Sequence, residues 1–340
     1  MGCRITGVGS CLPERIVTNE EVASLTGVGA ERIERLFEIR QRHWSRGREG
    51  AAPPEGQRCS DLGATAARRA LARARMDPAR VDTIVTISTT PDLMIPPLDY
   101  VISSKLELRG RATFDLRAPC AGLFRAIMLV DALIASGRSE CALIIGAETF
   151  SPFFRFGPGV PIDHRLSCVL YADGAGAIVV EPGDARGLGL QSLVLHCATD
   201  GSPPGLTFPG HMSAMPPGGA DTMAYLGYQD FRAVLDRGSD LFGRAGDEVL
   251  RATKTELADY KFVLTHQATG NMRAIAERHG VPASKLPINI DHVGNTVAAS
   301  ILIVLDELDT AGRLDRGDRL MFLAAESSTW SYAGLSLLWG

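Results

Sequence analysis

The chain has 340 residues, 45% of them hydrophobic and 6% aromatic, with a formal net charge of −4. That length is enough for one large duplicated core or two domains, and the charge balance offers no basic field for nucleic acid or an anionic membrane. Seven cysteines (3, 11, 59, 120, 141, 168 and 197) form no CxxC or Cys/His pair. A zinc site or disulfide framework is thereby excluded, and a reducing cytoplasm is the expected location.

In chain order, the first element is a strand, "CRITGVGSCLP". The opening "MGCRIT" matches a myristoylation pattern, but the alternation that follows it indicates a buried strand. Residues 1 to 15 lack the layout of a signal peptide. A β-branched run closing on a Thr-rich turn follows, "VDTIVTISTTPDL" (81–93). Next comes "TFDLRAPCAG", a short strand and a small-residue loop. It leads into a broadly apolar helix from about 121 to 136, too fully apolar for a surface helix. Asp131 interrupts that run, so it does not span a membrane. "CALIIGAETFS" is a further strand, and "SPFFRFGPG" is expected to be an aromatic-lined insertion. Glycine-rich "DGAGAIVVEP" fits neither GxGxxG nor GxxxxGKS and is expected to be a tight turn entering a core strand.

The second half repeats the first. "DYKFVLTHQATGN" parallels residues 81–93. "PINIDHVGNT" parallels "TFDLRAPCAG" as strand, loop and helix start. "RLMFLAAESST" parallels "CALIIGAETFS", and "YAGLSLLWG" parallels "GAGAIVVEP". Asp82 to Cys120 spans 38 residues and Asp259 to Asn295 spans 36; Cys120 to Glu148 spans 28 and Asn295 to Glu326 spans 31. Four pairs in one order predict a duplicated α/β fold with mixed sheets, its halves at residues 1–185 and 186–340. The first half carries an insertion around "SPFFRFGPGVPIDHRLSCVLYAD".

In such a fold the matched strand-to-helix turns face a common centre, which would bring Cys120 together with His266 and Asn295. A Cys at a helix N-terminus is expected to have a lowered pKa and to react with iodoacetamide ahead of the other cysteines. A nearby imidazole would assist it.

The fragments "EIRQRHW", "STTPDL", "FDLRAPCAGLFRA", "LIIGAETFS", "DGAGAIVV", "LTHQA" and "HVGNTVAAS", in that order, resemble the thiolase-fold condensing enzymes, most closely β-ketoacyl-acyl-carrier-protein synthase III. The resemblance implies a thiolase-like αβαβα arrangement and a cytoplasmic homodimer. It implies that Cys120 takes an acyl group from a thioester, while His266 and Asn295 polarise a malonyl carbonyl. The backbone N–H groups of Cys120 and Ser327 would form the oxyanion hole. No cofactor or metal is implied; the phosphopantetheine arm of the donor enters as substrate. Ile95 aligns with a Phe that caps the partner's acyl pocket, and Phe153, Phe154 and Phe156 are expected to line the pocket.

Three departures stand out. The family's Gly-Gly-Gly turn reads Ala325, Glu326, Ser327, and the aromatic and cationic residues that grip the adenine of coenzyme A are Arg32 and Leu36. Thr269 stands where an Asn usually follows "HQA". These changes favour an acyl carrier protein as donor. They also favour an acyltransferase of specialised metabolism, such as polyketide or antibiotic biosynthesis, passing the acyl group to a small-molecule or carrier-bound acceptor. The alternative is decarboxylative condensation with malonyl-carrier protein. A catalytically silent partner subunit is a third possibility, opposed by the retained Cys120, His266 and Asn295.

Overall fold

Two mixed sheets repeat one topology in this computed structural model, which describes residues 2–47, 52–184, 187–198, 201–207 and 228–340. The first sheet holds β1 (Cys3–Cys11), β2 (Thr83–Ile87), β3 (Ala112–Leu116), β4 (Ala142–Glu148) and β5 (Gly174–Pro182) in the order β1-β5-β4-β2-β3. The second holds β6 (Gly189–Cys197), β7 (Phe262–Thr265), β8 (Arg319–Glu326) and β9 (Ser331–Leu338) in the order β7-β8-β9-β6. In each, a parallel pair (β2 with β4, β7 with β8) is followed by two antiparallel pairs. Residues 185 and 186, where the two halves are expected to meet, lie outside the described residues.

Helices build the remaining layers. The helices α2 (Gly122–Ala135) and α4 (Ser300–Thr310) share one core with both sheets. That core includes Phe124 and Ile127, Leu302 and Leu305, Ile144 and Ile178 of the first sheet, and Leu264 and Phe322 of the second. Each such side chain contributes about 1.5–3 kcal/mol by leaving water, which explains why both helices are apolar nearly all round. The outer face of the first sheet is covered by α1 (Cys59–Arg73), and that of the second by α3 (Phe231–Thr253). The result is the αβαβα arrangement that the family resemblance implies, built on the two α/β halves that the duplicated pattern predicts. Close approach at Gly146 ties the halves together: a Cβ there would lie 2.6 Å from the Ala298 carbonyl oxygen.

One predicted strand is absent among the described residues: "PINI" is not paired. Pro287 has no N–H for a ladder. The Gln267 side chain takes the local backbone groups instead, accepting from the Asn289 N–H at 3.2 Å and donating to the Pro287 carbonyl at 3.5 Å. "DGAGA" does enter the core strand β5, with Asp173 accepting from the backbone N–H groups of Ser45 and Ser151.

Candidate active site

Cys120, His266 and Asn295 line one cavity of about 270 Å³ between the two halves. The rest of its wall is mostly apolar: Leu166, Leu170, Phe231, Leu241, Phe242 and Met272 are among its members. Leu36 and Leu235 line it too and are 39% and 53% exposed, so they lie on the side that meets solvent.

Each candidate is delivered by a strand end or turn. Cys120 precedes the first residue of α2 by two positions, in the turn after β3. That turn sits against β2 because Gly122 has no side chain; a Cβ there would lie 2.3 Å from Ile87 Cγ2. His266 follows β7 and extends its pairing, its N–H donating to the Leu323 carbonyl at 3.0 Å. Asn295 is clamped to the first half. Its N–H donates to the Leu170 carbonyl at 3.2 Å and its carbonyl accepts from Ala172 at 2.9 Å. Its side chain donates from Nδ2 to the Ala268 carbonyl at 3.2 Å and accepts at Oδ1 from the Val297 N–H at 2.9 Å. Val297 is held at φ 45°, a left-handed conformation costly for a β-branched residue.

The His266 ring carries one informative hydrogen bond, Nδ1 to the Ser300 hydroxyl at 2.8 Å. The Ser300 oxygen also accepts from the Gln267 N–H, at 3.4 Å, and no other acceptor for its proton is found among the described residues. Ser300 therefore donates to Nδ1, which leaves the proton of the neutral ring on Nε2. Burial lowers the His266 pKa to about 4, so the ring is neutral at physiological pH.

Several expectations need correction. The Cys120 thiol is not lowered: burial pushes it well above the usual range, the nearby Glu326 adds to this, and Glu148 raises it further. Cys197, which is exposed, is therefore expected to react with iodoacetamide first. The aromatic insertion does not line the cavity. Phe154 and Phe156 pack on Trp44 with ring centroids 5.2 and 6.3 Å away, because the insertion folds back onto its own half, and Phe153 is 44% exposed. The helix Ile162–Leu170 in the same insertion does contribute to the wall, through Leu166 and Leu170. Ile95 lies outside the cavity of its own chain and is 83% exposed, so any capping role is toward a partner's cavity.

Ser327 lines the cavity and its N–H has no acceptor among the described residues, while the Cys120 N–H is directed at its own sulfur. Two groups were not singled out from sequence. Ser300 lies at the end of "GNTVAAS", where only its fixed offset from Asn295 could have marked it. Glu326 was visible only as a carboxylate in place of glycine. Glu148 and the "STT" turn also meet, the Thr89 and Thr90 N–H groups both donating at 3.0 Å, while burial holds that carboxyl up at about 7.

Residues 114–201 and 250–339 match the family profiles of 3-oxoacyl-(acyl-carrier-protein) synthase III and its C-terminal part. A β-ketoacyl-acyl-carrier-protein synthase III from Thioalkalivibrio sulfidiphilus is 34% identical, covering 97% of this chain and 98% of the relative. A synthase III from Streptomyces coelicolor is also 34% identical, covering 98% and 96%. The crystal structure of the Pseudomonas aeruginosa synthase III superposes with a TM-score of 0.85 at 28% identity, covering 100% of this chain and 98% of that one. The priming β-ketosynthase of the R1128 polyketide pathway superposes with a TM-score of 0.83 at 28% identity, covering 99% and 96%. The duplicated fold, the shared cavity and near-complete coverage at this identity lead to one conclusion: the chain belongs to the β-ketoacyl-acyl-carrier-protein synthase III family of thiolase-fold condensing enzymes.

Proposed function

We propose that the enzyme loads an acyl group onto Cys120 from a carrier-protein thioester and condenses it with malonyl-carrier protein. In the first half-reaction the Cys120 thiol gives up its proton, its sulfur attacks the thioester carbonyl, and the proton ends on the departing phosphopantetheine sulfur. The oxyanion is met by the Cys120 and Ser327 N–H groups, and the phosphopantetheine thiol leaves. In the second, the malonyl carboxylate leaves as carbon dioxide and the electron pair moves onto the thioester oxygen as an enolate. His266 Nε2–H and the second Nδ2–H of Asn295 are the donors to that oxygen. The enolate carbon then attacks the acyl carbon and Cys120 is expelled.

The observation that carries this reading is the Ser300 hydroxyl 2.8 Å from His266 Nδ1. With that hydroxyl donating to Nδ1, the ring proton sits on Nε2 and makes the ring a hydrogen-bond donor toward the cavity. Transfer to a hydroxyl or amine acceptor would need a lone pair there, to take the acceptor's proton.

The second reading, acyl transfer in specialised metabolism, is supported by the altered turn Ala325–Ser327, and its metabolic setting, though not the transfer step, by the similarity to a priming polyketide ketosynthase. A carrier protein is the donor in either reading, since Arg32 and Leu36 replace the aromatic and the cation that would grip adenine. The exposed run Leu93, Met94, Ile95, at 52%, 50% and 83%, supports a homodimer with Ile95 facing the partner's cavity.

The test is discharge of acylated enzyme by malonyl-carrier protein against a panel of hydroxyl and amine acceptors, followed by intact mass. Discharge by malonyl-carrier protein is expected. Discharge by the panel alone transfers the assignment to the second reading.

A further inference from the structure

The helix end beside the nucleophile is already occupied. Glu326, fully buried at the end of β8, accepts at Oε2 from the N–H of Ala121, the residue capping α2, at 2.9 Å. Its Oε1 accepts from Arg125 at 3.3 Å, the Ser328 hydroxyl at 3.1 Å and the Thr329 hydroxyl at 2.6 Å. Arg125, in the first turns of α2, also reaches the Thr329 and Ser331 hydroxyls at 3.5 Å each. The carboxylate thus cross-links the turn that carries Ser327 to the helix that follows Cys120. It uses its lone pairs on the protein, which leaves it poorly placed to take a proton from a substrate.

A free N-terminal N–H and the helix dipole would favour a thiolate at position 120. A carboxylate on the adjacent N–H takes up that donor and opposes a second negative charge. We propose that Glu326, clamped by Arg125, is a positioning residue that adds to burial in keeping Cys120 at rest as a neutral thiol and shifts upward the pH at which the nucleophile forms. This rests on Cys120 being the nucleophile.

The charged groups facing the thiol come from three elements: Glu326 from β8, Glu148 from β4 and Arg125 from α2. His266, neutral in its buried site, and Tyr171 share the cavity. Burial raises the thiol first, Glu326 and Glu148 raise it further, and Arg125 lowers it.

The experiment is iodoacetamide alkylation of the full-length enzyme across pH, with the Cys120 peptide quantified by mass. Glutathione added to the same reactions is the reference whose profile should not move, since Cys197 donates to the Thr329 carbonyl in the turn that Glu326 holds. Glu326→Gln keeps an acceptor for Ala121 and removes the charge. Its Cys120 midpoint is expected to fall by about one pH unit, giving about tenfold faster alkylation below both midpoints. Arg125→Gln leaves the carboxylate uncompensated and is expected to move the midpoint the opposite way.

An unmoved midpoint in folded Glu326→Gln overturns the proposal, as does a shift of both variants in one direction, which would mark a loss of clamping rather than of charge. If Glu326→Gln does not fold, Arg125→Gln decides alone, and a midpoint unmoved or lowered overturns it. Alkylation needs no acyl donor, so failure of the loading reaction itself would be read separately.

Discussion

Asn295→Ala separates enolate chemistry from simple acyl transfer. The substitution removes one of two donors aimed at the proposed enolate, and such a loss costs about 3–4 kcal/mol of transition-state stabilisation, or about 100- to 1000-fold in rate. It also deletes the acceptor that holds the buried Val297 N–H at 2.9 Å and the donor to the Ala268 carbonyl at 3.2 Å, a structural loss of about 1–3 kcal/mol. The two effects differ in what they reach. The structural loss lowers thermal stability modestly and acts on every step, whereas the missing donor acts only after Cys120 is acylated. The assay is therefore paired: intact-mass loading of Cys120 from an acyl-carrier protein, and carbon dioxide release from malonyl-carrier protein by the loaded enzyme. Loading within about threefold of wild type with release down at least about 100-fold is expected. Loading intact with release or transfer reduced only a few-fold would refute the role given to Asn295.

Because His266 is lowered to about 4 and acts as a neutral donor, condensation should lose rate only as pH falls toward about 4. Between 6.5 and about 4 the unfolded chain binds a proton the folded ring refuses, so stability falls as pH falls through that window. Moving the group from 6.5 to about 4 is worth about 3 kcal/mol. His266→Asn should flatten that part of a pH–melting curve, and an unchanged slope would contradict the buried neutral ring. Gly122→Ala would press a Cβ to 2.3 Å from Ile87 Cγ2; a loss of about 1–3 kcal/mol in chemical denaturation and slower Cys120 loading are expected. Unchanged loading would show that the turn tolerates movement. The same acyl group should load Cys120 at least about tenfold better from a carrier protein than from coenzyme A, because exposed charge contacts to adenosine contribute about 1 kcal/mol or less each. Equal loading from both donors would return the enzyme to the coenzyme A-using group.

Much of this architecture is legible in the sequence because duplication supplies its own control. A run such as "VDTIVTISTT" becomes informative when "YKFVLTHQAT" repeats it at the matching place. The helix expected from about 121 to 136 spans Gly122–Ala135, since its apolar faces answer to two sheets at once. "PINI" misleads because its apolar pattern suits a strand, while the missing N–H of Pro287 and the Gln267 amide remove the partner. The insertion aromatics mislead for a different reason: composition marks Phe154 as buried but not which cavity it faces, and Trp44 claims it. The thiol is the instructive case. Burial raises the thiol, and the helix end that could lower it is occupied by a carboxylate 206 positions downstream of Cys120.

The central claim is decarboxylative condensation at Cys120. Its most direct measurement uses enzyme loaded from an acyl-carrier protein and then given malonyl-carrier protein labelled with carbon-13 at the free carboxylate. Labelled carbon dioxide should appear in a one-to-one ratio with a β-ketoacyl-carrier product as the Cys120 adduct disappears, and Cys120→Ala should yield neither. Disappearance of the adduct with no labelled carbon dioxide, and the acyl group recovered on another acceptor, would contradict the account.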